Sequence, residues 1–150
     1  MRVVIQRVLH SKVTINDNIQ RKIGHGLLIF VGINELDNEI DIEWVTRKIL
    51  QLRIFNDEFG VMNKNINDVN GEIMVISQFT LYASTKKGNR PSYSNAAKPE
   101  KAIPIYEYFV KYFERIFTKK IETGEFGANM RIELLNDGPV TIIIDSKNKE

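Results

Sequence analysis

Glu72-Ile73-Met74-Val75-Ile76-Ser77-Gln78-Phe79-Thr80-Leu81-Tyr82 is the stretch that decides the fold. Its apolar, β-branched run reads as a strand, and its end turns polar and aromatic. Upstream, Gly26-Leu27-Leu28-Ile29-Phe30-Val31-Gly32 is apolar without a break between two glycines, as in a strand buried on both faces. The first residues, with Val3 and Ile5 alternating against Val4 and Gln6, also read as β. Val13 and Ile15 before Asn16-Asp17-Asn18 predict a hairpin over residues 11 to 23.

Between these strands the period changes to that of a helix. Ile42, Val45, Ile49 and Leu52 share one face, with Glu39, Asp41 and Glu43 early and Arg47 and Lys48 late, matching the helix dipole. A second helix is expected from Pro99 or Glu100, with Ile105, Phe109, Tyr112 or Phe113, and Ile116 as its apolar face. Pro104 either falls in its early turns or delays its start. Residues 56 to 71 are polar and turn-rich, and the chain returns to β at Met130–Leu135 and Val140–Ile144, around a Gly-Pro turn. Residues 146–150 read as a frayed tail. The sum is one mixed α/β domain over residues 1–150, with most strands near the ends of the chain.

The 150 residues are 43% hydrophobic and 27% charged, enough for one core and a polar exterior. No run approaches the ~18 apolar residues of a membrane span, and no secretory pattern precedes Val3. Zero cysteines exclude disulfides, thiolate chemistry and cysteine-held zinc, which fits a cytoplasmic protein. Net charge is only +2, but Lys86, Lys87, Arg90, Lys98 and Lys101 face a single acid, Glu100, between Ser84 and Lys101. That segment is a phosphate contact or a solvated loop.

Familiar catalytic sets are missing. His10 and His25 lie in β-rich sequence without a neighbouring nucleophile, no spacing fits a metal, and no glycine loop fits a nucleotide cofactor. Ser77-Gln78-Phe79-Thr80-Leu81-Tyr82-Ala83 is either a plain strand end or a source of free backbone N–H groups beside a hydroxyl and a ring. As a strand it places Ser77, Phe79 and Leu81 on one face and Gln78, Thr80 and Tyr82 on the other. Such N–H groups can hold an ester carbonyl as it becomes an oxyanion. Asn136-Asp137-Gly138-Pro139-Val140-Thr141 is either an ordinary turn or a stiff backbone wall that rejects one stereochemistry by a clash.

Taken together, the two motifs resemble the signatures of the D-aminoacyl-tRNA deacylases. Val4-Ile5-Gln6-Arg7-Val8, Lys86-Lys87-Gly88-Asn89-Arg90-Pro91 and Gly124-Glu125-Phe126-Gly127-Ala128 extend the resemblance nearly end to end. It implies antiparallel-rich sheets in a barrel-like core with two main flanking helices. It also implies hydrolysis of the ester between a D-amino acid, or glycine, and tRNA. Ser77, Gln78, Phe79 and Thr80 would line the scissile ester and terminal adenosine, and Ala102 the adenine pocket. Gly138 and Pro139, joined by a cis peptide and fixed by Arg7, would form the chirality gate inside the active site of a partner subunit, in a homodimer. The tRNA 2′-hydroxyl would help activate water, without metal or cofactor, and Lys86, Lys87 and Arg90 would contact the tRNA backbone. The competing expectations are a non-catalytic RNA-binding or dimerisation module and an esterase dependent on Thr80 (or Ser77).

Overall fold

The structure, a computed structural model, describes residues 1–149. Its spine is β1 (Arg2–Ile15), 14 residues long and paired along both edges. On one edge its first half pairs antiparallel with β3 (Gly26–Gly32) and its second half with β2 (Ile19–Ile23). The β1–β2 hairpin turns at Asn16 and Asp17, both at positive φ, which these residue types tolerate. On the other edge β8 (Met130–Asp145) runs antiparallel to β1 from end to end. Beyond β3 the sheet continues in parallel through β6 (Glu72–Ser77) to the short β7 (Glu122–Thr123). Arg21 on β2 donates to the carbonyls of Thr123 and Gly124, so the curled sheet nearly closes into a barrel. A separate small hairpin, β4 (Phe55–Asn56) with β5 (Met62–Lys64), falls in the turn-rich stretch.

Two helices cover one face. In α1 (Glu39–Gln51) Asn38 accepts from the N–H of Ile40, while the Asp41 carboxylate accepts from the N–H of Asn38, closing the first turn. α2 (Pro99–Ile116) starts on its proline and runs through Pro104, held by the buried Ala102, Tyr106, Phe109, Tyr112 and Phe113. No helix among the described residues is long and apolar enough to cross a membrane.

The sheet carries a core on each face. Val3, Ile5, Leu27, Ile29, Val31, Ile73 and Val75 pack under the helices. Val8, Val13, Ile15, Leu28, Met74 and Ile76 form a smaller second core. β3 is thus buried on both faces, as its unbroken apolar run implies. β1 serves both cores because its pairing skips Leu9: Val8 faces Asn136 and His10 faces Leu135. One extra residue inverts the alternation, so Ser11, Val13 and Ile15 follow Val8 into the second core.

Three expectations are corrected. The strand beginning at Glu72 stops at Ser77, not Tyr82, and Phe79–Tyr82 wind into a 3₁₀ turn. Gln78 gives its N–H to Val31 O at 2.7 Å, and the next bonds run locally, Leu81 to Gln78 and Ala83 to Thr80. The two-face assignment of residues 77 to 82 therefore fails. The turn lies against β3 at Gly32, where a Cβ would stand 3.0 Å from that of Leu81 and 3.1 Å from Gln78 O. Secondly, Gly138-Pro139 reverses nothing, because the chain on either side of it pairs with the same strand, β1. Thirdly, the described part of the tail is tied down. Ser146 is 6% exposed and donates its N–H to Met1 O, and the Met1 ammonium donates to Ser146 Oγ and to the Asp37 carboxylate. Lys147 reaches Asp41 at 2.6 Å and the Lys149 ammonium sits 4.5 Å from the Trp44 ring centre.

Candidate active site

The end of β6 and the start of the 3₁₀ turn form one wall of a hollow of about 280 Å³. Ile76, Ser77, Gln78 and Phe79 face Phe126 and Met130 across it. Phe126 is backed by Tyr106 on α2, ring centres 5.8 Å apart, and Tyr106 donates its hydroxyl to Val75 O. Burial pushes the Tyr106 hydroxyl up to about 12, so it stays a neutral donor. Ala102, one turn earlier and 4% exposed, belongs to the core behind this wall and does not itself line the hollow.

Within the wall, Gln78 Nε2 donates to Thr80 Oγ1 at 2.5 Å. No protein acceptor meets the backbone N–H of Phe79 or Thr80 among the described residues. Two adjacent donors thus stand free at the mouth of the turn, as the first N–H groups of a helical turn do. Phe79 is 55% exposed and meets Tyr93 edge-on at 5.1 Å. Tyr93 directly follows a loop closed by paired hydrogen bonds between Ser84 and Ser92, with Gly88 at positive φ near its tip. Lys86, Lys87 and Arg90 lie exposed on it, so the basic segment is tethered beside the hollow.

The second motif lies elsewhere. Between the pairs Gln6↔Thr141 and Val8↔Asn136, β1 advances two residues while β8 advances five. The surplus bulges out over Arg7, carrying Gly138 and Pro139 exposed on top, joined by a cis peptide. Arg7, 7% exposed, fills the space beneath. Its Nε donates to Asp137 O at 3.0 Å and pairs with the Asp137 carboxylate at 3.0 Å, and Nη1 donates to Ile54 O at 2.5 Å. His25 Nε2 lies 4.0 Å from the same carboxylate. Gly138 admits no side chain: a Cβ there would stand 2.0 Å from Val140 N.

The structure brings Ser77, Gln78 and Phe79 to one hollow and Arg7, Gly138 and Pro139 to one bulge, while Thr80, the next residue of the turn, lines a separate cavity of about 760 Å³ with Arg2, Leu81 and Ile143. It does not join hollow and bulge within one chain, since neither Gly138 nor Pro139 lines the hollow. Sequence reasoning assigned no role to Phe126, Met130, Tyr93, Asn136, Asp137 or His25. For Asn136 and Asp137 the signal was present, as immediate neighbours of Gly138.

The chain is similar to known proteins over nearly its whole length. Residues 4–145 match the family described as D-Tyr-tRNA(Tyr) deacylase. D-aminoacyl-tRNA deacylases of Bacteroides thetaiotaomicron and Flavobacterium johnsoniae are 61% and 59% identical, over 100% of both chains in each case. A solved structure titled c-Myc DNA Unwinding Element Binding Protein is 38% identical, covering 97% of this chain and 98% of its own, with a TM-score of 0.90. A probable eukaryotic D-amino acid tRNA deacylase, 13% identical with a TM-score of 0.82, covers 95% of this chain and 97% of its own and shares the fold. With the family match spanning nearly the whole chain and both motifs intact on the scaffold, this chain belongs to the D-Tyr-tRNA(Tyr) deacylase family.

Proposed function

We propose that this chain hydrolyses the ester of D-aminoacyl-tRNA, releasing the D-amino acid and free tRNA. The observation that carries the reading is the pair of unpartnered N–H groups at Phe79, which lines the hollow, and at its neighbour Thr80. Water adds to the ester carbonyl carbon, the carbonyl oxygen gains negative charge, and those two donors stabilise it. The C–O bond to the ribose then breaks, and the 3′-oxygen leaves with a proton. No imidazole lines the hollow to move that proton, and the adjacent 2′-hydroxyl of the terminal adenosine is placed to relay it. Phe79 and Phe126 offer ring faces to the adenine. Thr80 is not activated as a nucleophile, because the group touching its oxygen is an amide donor, not a base.

Chiral selection follows if Gly138 and Pro139 of a second copy close the hollow, an L side chain then meeting their backbone. The active unit would be a homodimer with two sites at its interface. Supporting this, the bulge stands proud of the sheet, and the apolar Leu9, Leu135 and Ile143 lie 49%, 48% and 67% exposed on β1 and β8. Lys86, Lys87 and Arg90 would take the tRNA backbone without reading sequence. Glycyl-tRNA, having no side chain to exclude, passes the same gate.

The test is hydrolysis of matched D- and L-tyrosyl-tRNA by the purified protein, repeated on D-tyrosyl-tRNA ending in 2′-deoxyadenosine. Release of D-tyrosine only, abolished by the deoxy terminus, is expected. Equal release from both enantiomers removes the gate, and persistence on the deoxy terminus removes the 2′-hydroxyl. Binding without hydrolysis would leave a nucleic-acid-binding module.

A further inference from the structure

We propose that Asn136 is a positioning residue for the Gly138-Pro139 element, working through its side-chain amide as a clasp across the base of the bulge. Asn136 is the last residue of β8 still in register with β1 before the ladder skips to Thr141. Over that gap the ladder cannot satisfy the carbonyls on its inner edges, and such groups need another donor. The amide of Asn136 has two N–H donors. One goes to Arg7 O on β1 and the other to Val140 O on the far side of Gly138 and Pro139, each at 3.2 Å. One side chain therefore ties the two feet of the bulge to each other and to the spine strand. Arg7 grips only the near foot, through Asp137, and leaves Val140 to Asn136. Without the clasp the sheet keeps its remaining pairs, from Arg2↔Asp145 to Gln6↔Thr141 and from Val8 onward. The fold survives while the bulge gains freedom to sway, and a displacement of ~1 Å at a reacting site is enough to change rates by ~10²-fold. At a wall that works by exclusion, such sway admits what it should reject.

The proposal rests on the gate reading above, so Gly138→Ala is assayed beside Asn136→Ala and Asn136→Asp. Each is measured for D- and L-tyrosyl-tRNA hydrolysis and for thermal unfolding. Asn136→Asp keeps the shape but turns two donors into acceptors facing two carbonyls. The expected result is at least a tenfold fall in the D-to-L rate ratio for Asn136→Ala, driven by faster L-ester release, with unfolding close to that of wild type. Asn136→Asp should fall as far or further. A wild-type ratio in Asn136→Asp would show that shape and not donation matters, and would overturn the proposal. So would an unchanged ratio in Asn136→Ala while Gly138→Ala lowers it. An unchanged ratio in all three removes the gate reading itself. Failure of both Asn136 variants to fold would make the residue structural and equally overturn the positioning role.

Discussion

Replacing Arg7 with methionine tests whether the bulge is held from beneath. The substitution keeps an unbranched stem in a site that is 7% exposed, and removes the guanidinium alone. Three interactions go with it: the bond to Ile54 O at 2.5 Å, the bond to Asp137 O at 3.0 Å, and the ion pair with the Asp137 carboxylate at 3.0 Å. Breaking a buried pair by removing one partner costs about 3–5 kcal/mol. The Asp137 side chain is 33% exposed and recovers part of its hydration, which places the loss near the lower end, about 3 kcal/mol. For a chain of this size that is a fall in melting temperature of about 6–12 °C. Domain stabilities run to about 5–15 kcal/mol, so the variant still folds and its chemistry can be measured. Urea unfolding of the wild type, Arg7→Met and Arg7→Lys, paired with D- and L-tyrosyl-tRNA assays, reads both consequences. Lysine restores the charge but not the fork that reaches two carbonyls at once, and should recover part of the stability and little of the discrimination. An Arg7→Met protein within ~1 kcal/mol of wild type would refute the energetic reasoning, since the loss would then be no larger than one ordinary hydrogen bond. Lost stability with intact discrimination would show that Arg7 supports the sheet but not the gate.

Three further outcomes follow from the same structure. Thr80→Ala should keep turnover within about tenfold of wild type, the scale of losing one hydrogen bond, as measured by single-turnover deacylation; complete loss in a folded, tRNA-binding protein would restore the nucleophile role. Burial raises the Asp41 carboxyl, but Lys147, Ser146 and the Asn38 N–H outweigh it and hold it below the ordinary 3.8. Asp145, raised by burial, is likewise drawn lower by the Lys147 N–H and by Arg2. Both bind protons less readily folded than unfolded, so their contribution is full above 3.8 and is lost as pH falls through their folded values. Acid unfolding of Asp41→Asn should therefore show a shallower slope below pH 4 than wild type, and an equal slope would count against that sign. Replacing Lys86, Lys87 and Arg90 together by alanine should reduce the salt dependence of tRNA binding by about 0.7–0.9 in log–log slope per lost phosphate contact. A slope equal to that of wild type would make the loop a mere solvated surface.

What could be read in the sequence is what a local pattern encodes. The glycine-bounded run of β3 announced burial on two faces because nothing polar interrupts it. α1 was legible from the spacing of Ile42, Val45 and Ile49 and from the acids ahead of its basic residues, and the start of α2 from Pro99. The 3₁₀ turn was not, because Phe79, Thr80 and Tyr82 are good strand formers and no glycine or proline marks the end of β6. The register of β3 decides it, through Val31 O, which takes the Gln78 N–H. The anchored tail was hidden for a similar reason: Ser146 and Lys147 find their partners at Met1, Asp37 and Asp41, at the opposite end of the chain. Contacts between distant residues leave no periodic trace.

Both irregularities of the β1–β8 ladder fall within a few residues of each other on β1, and the candidate gate stands on the first of them. Leu9, the extra residue on β1, turns Ser11, Val13 and Ile15 to the side of Val8, into the second core, whose Met74 and Ile76 lie on β6, the strand that ends at the hollow. The surplus on β8 lifts Gly138 and Pro139 clear of the sheet over Arg7. An uninterrupted ladder from Arg2 to Ile15 would leave Arg7 in the alternation of Val3 and Ile5 with no carbonyl of Asp137 to hold. It would also flatten the bulge into a strand whose alternate backbone donors and acceptors are taken by β1. Exclusion by backbone needs a rigid backbone that is not spent on sheet pairing. Here that is supplied by skipping the ladder for a few residues and substituting one arginine and one asparagine for the missing bonds.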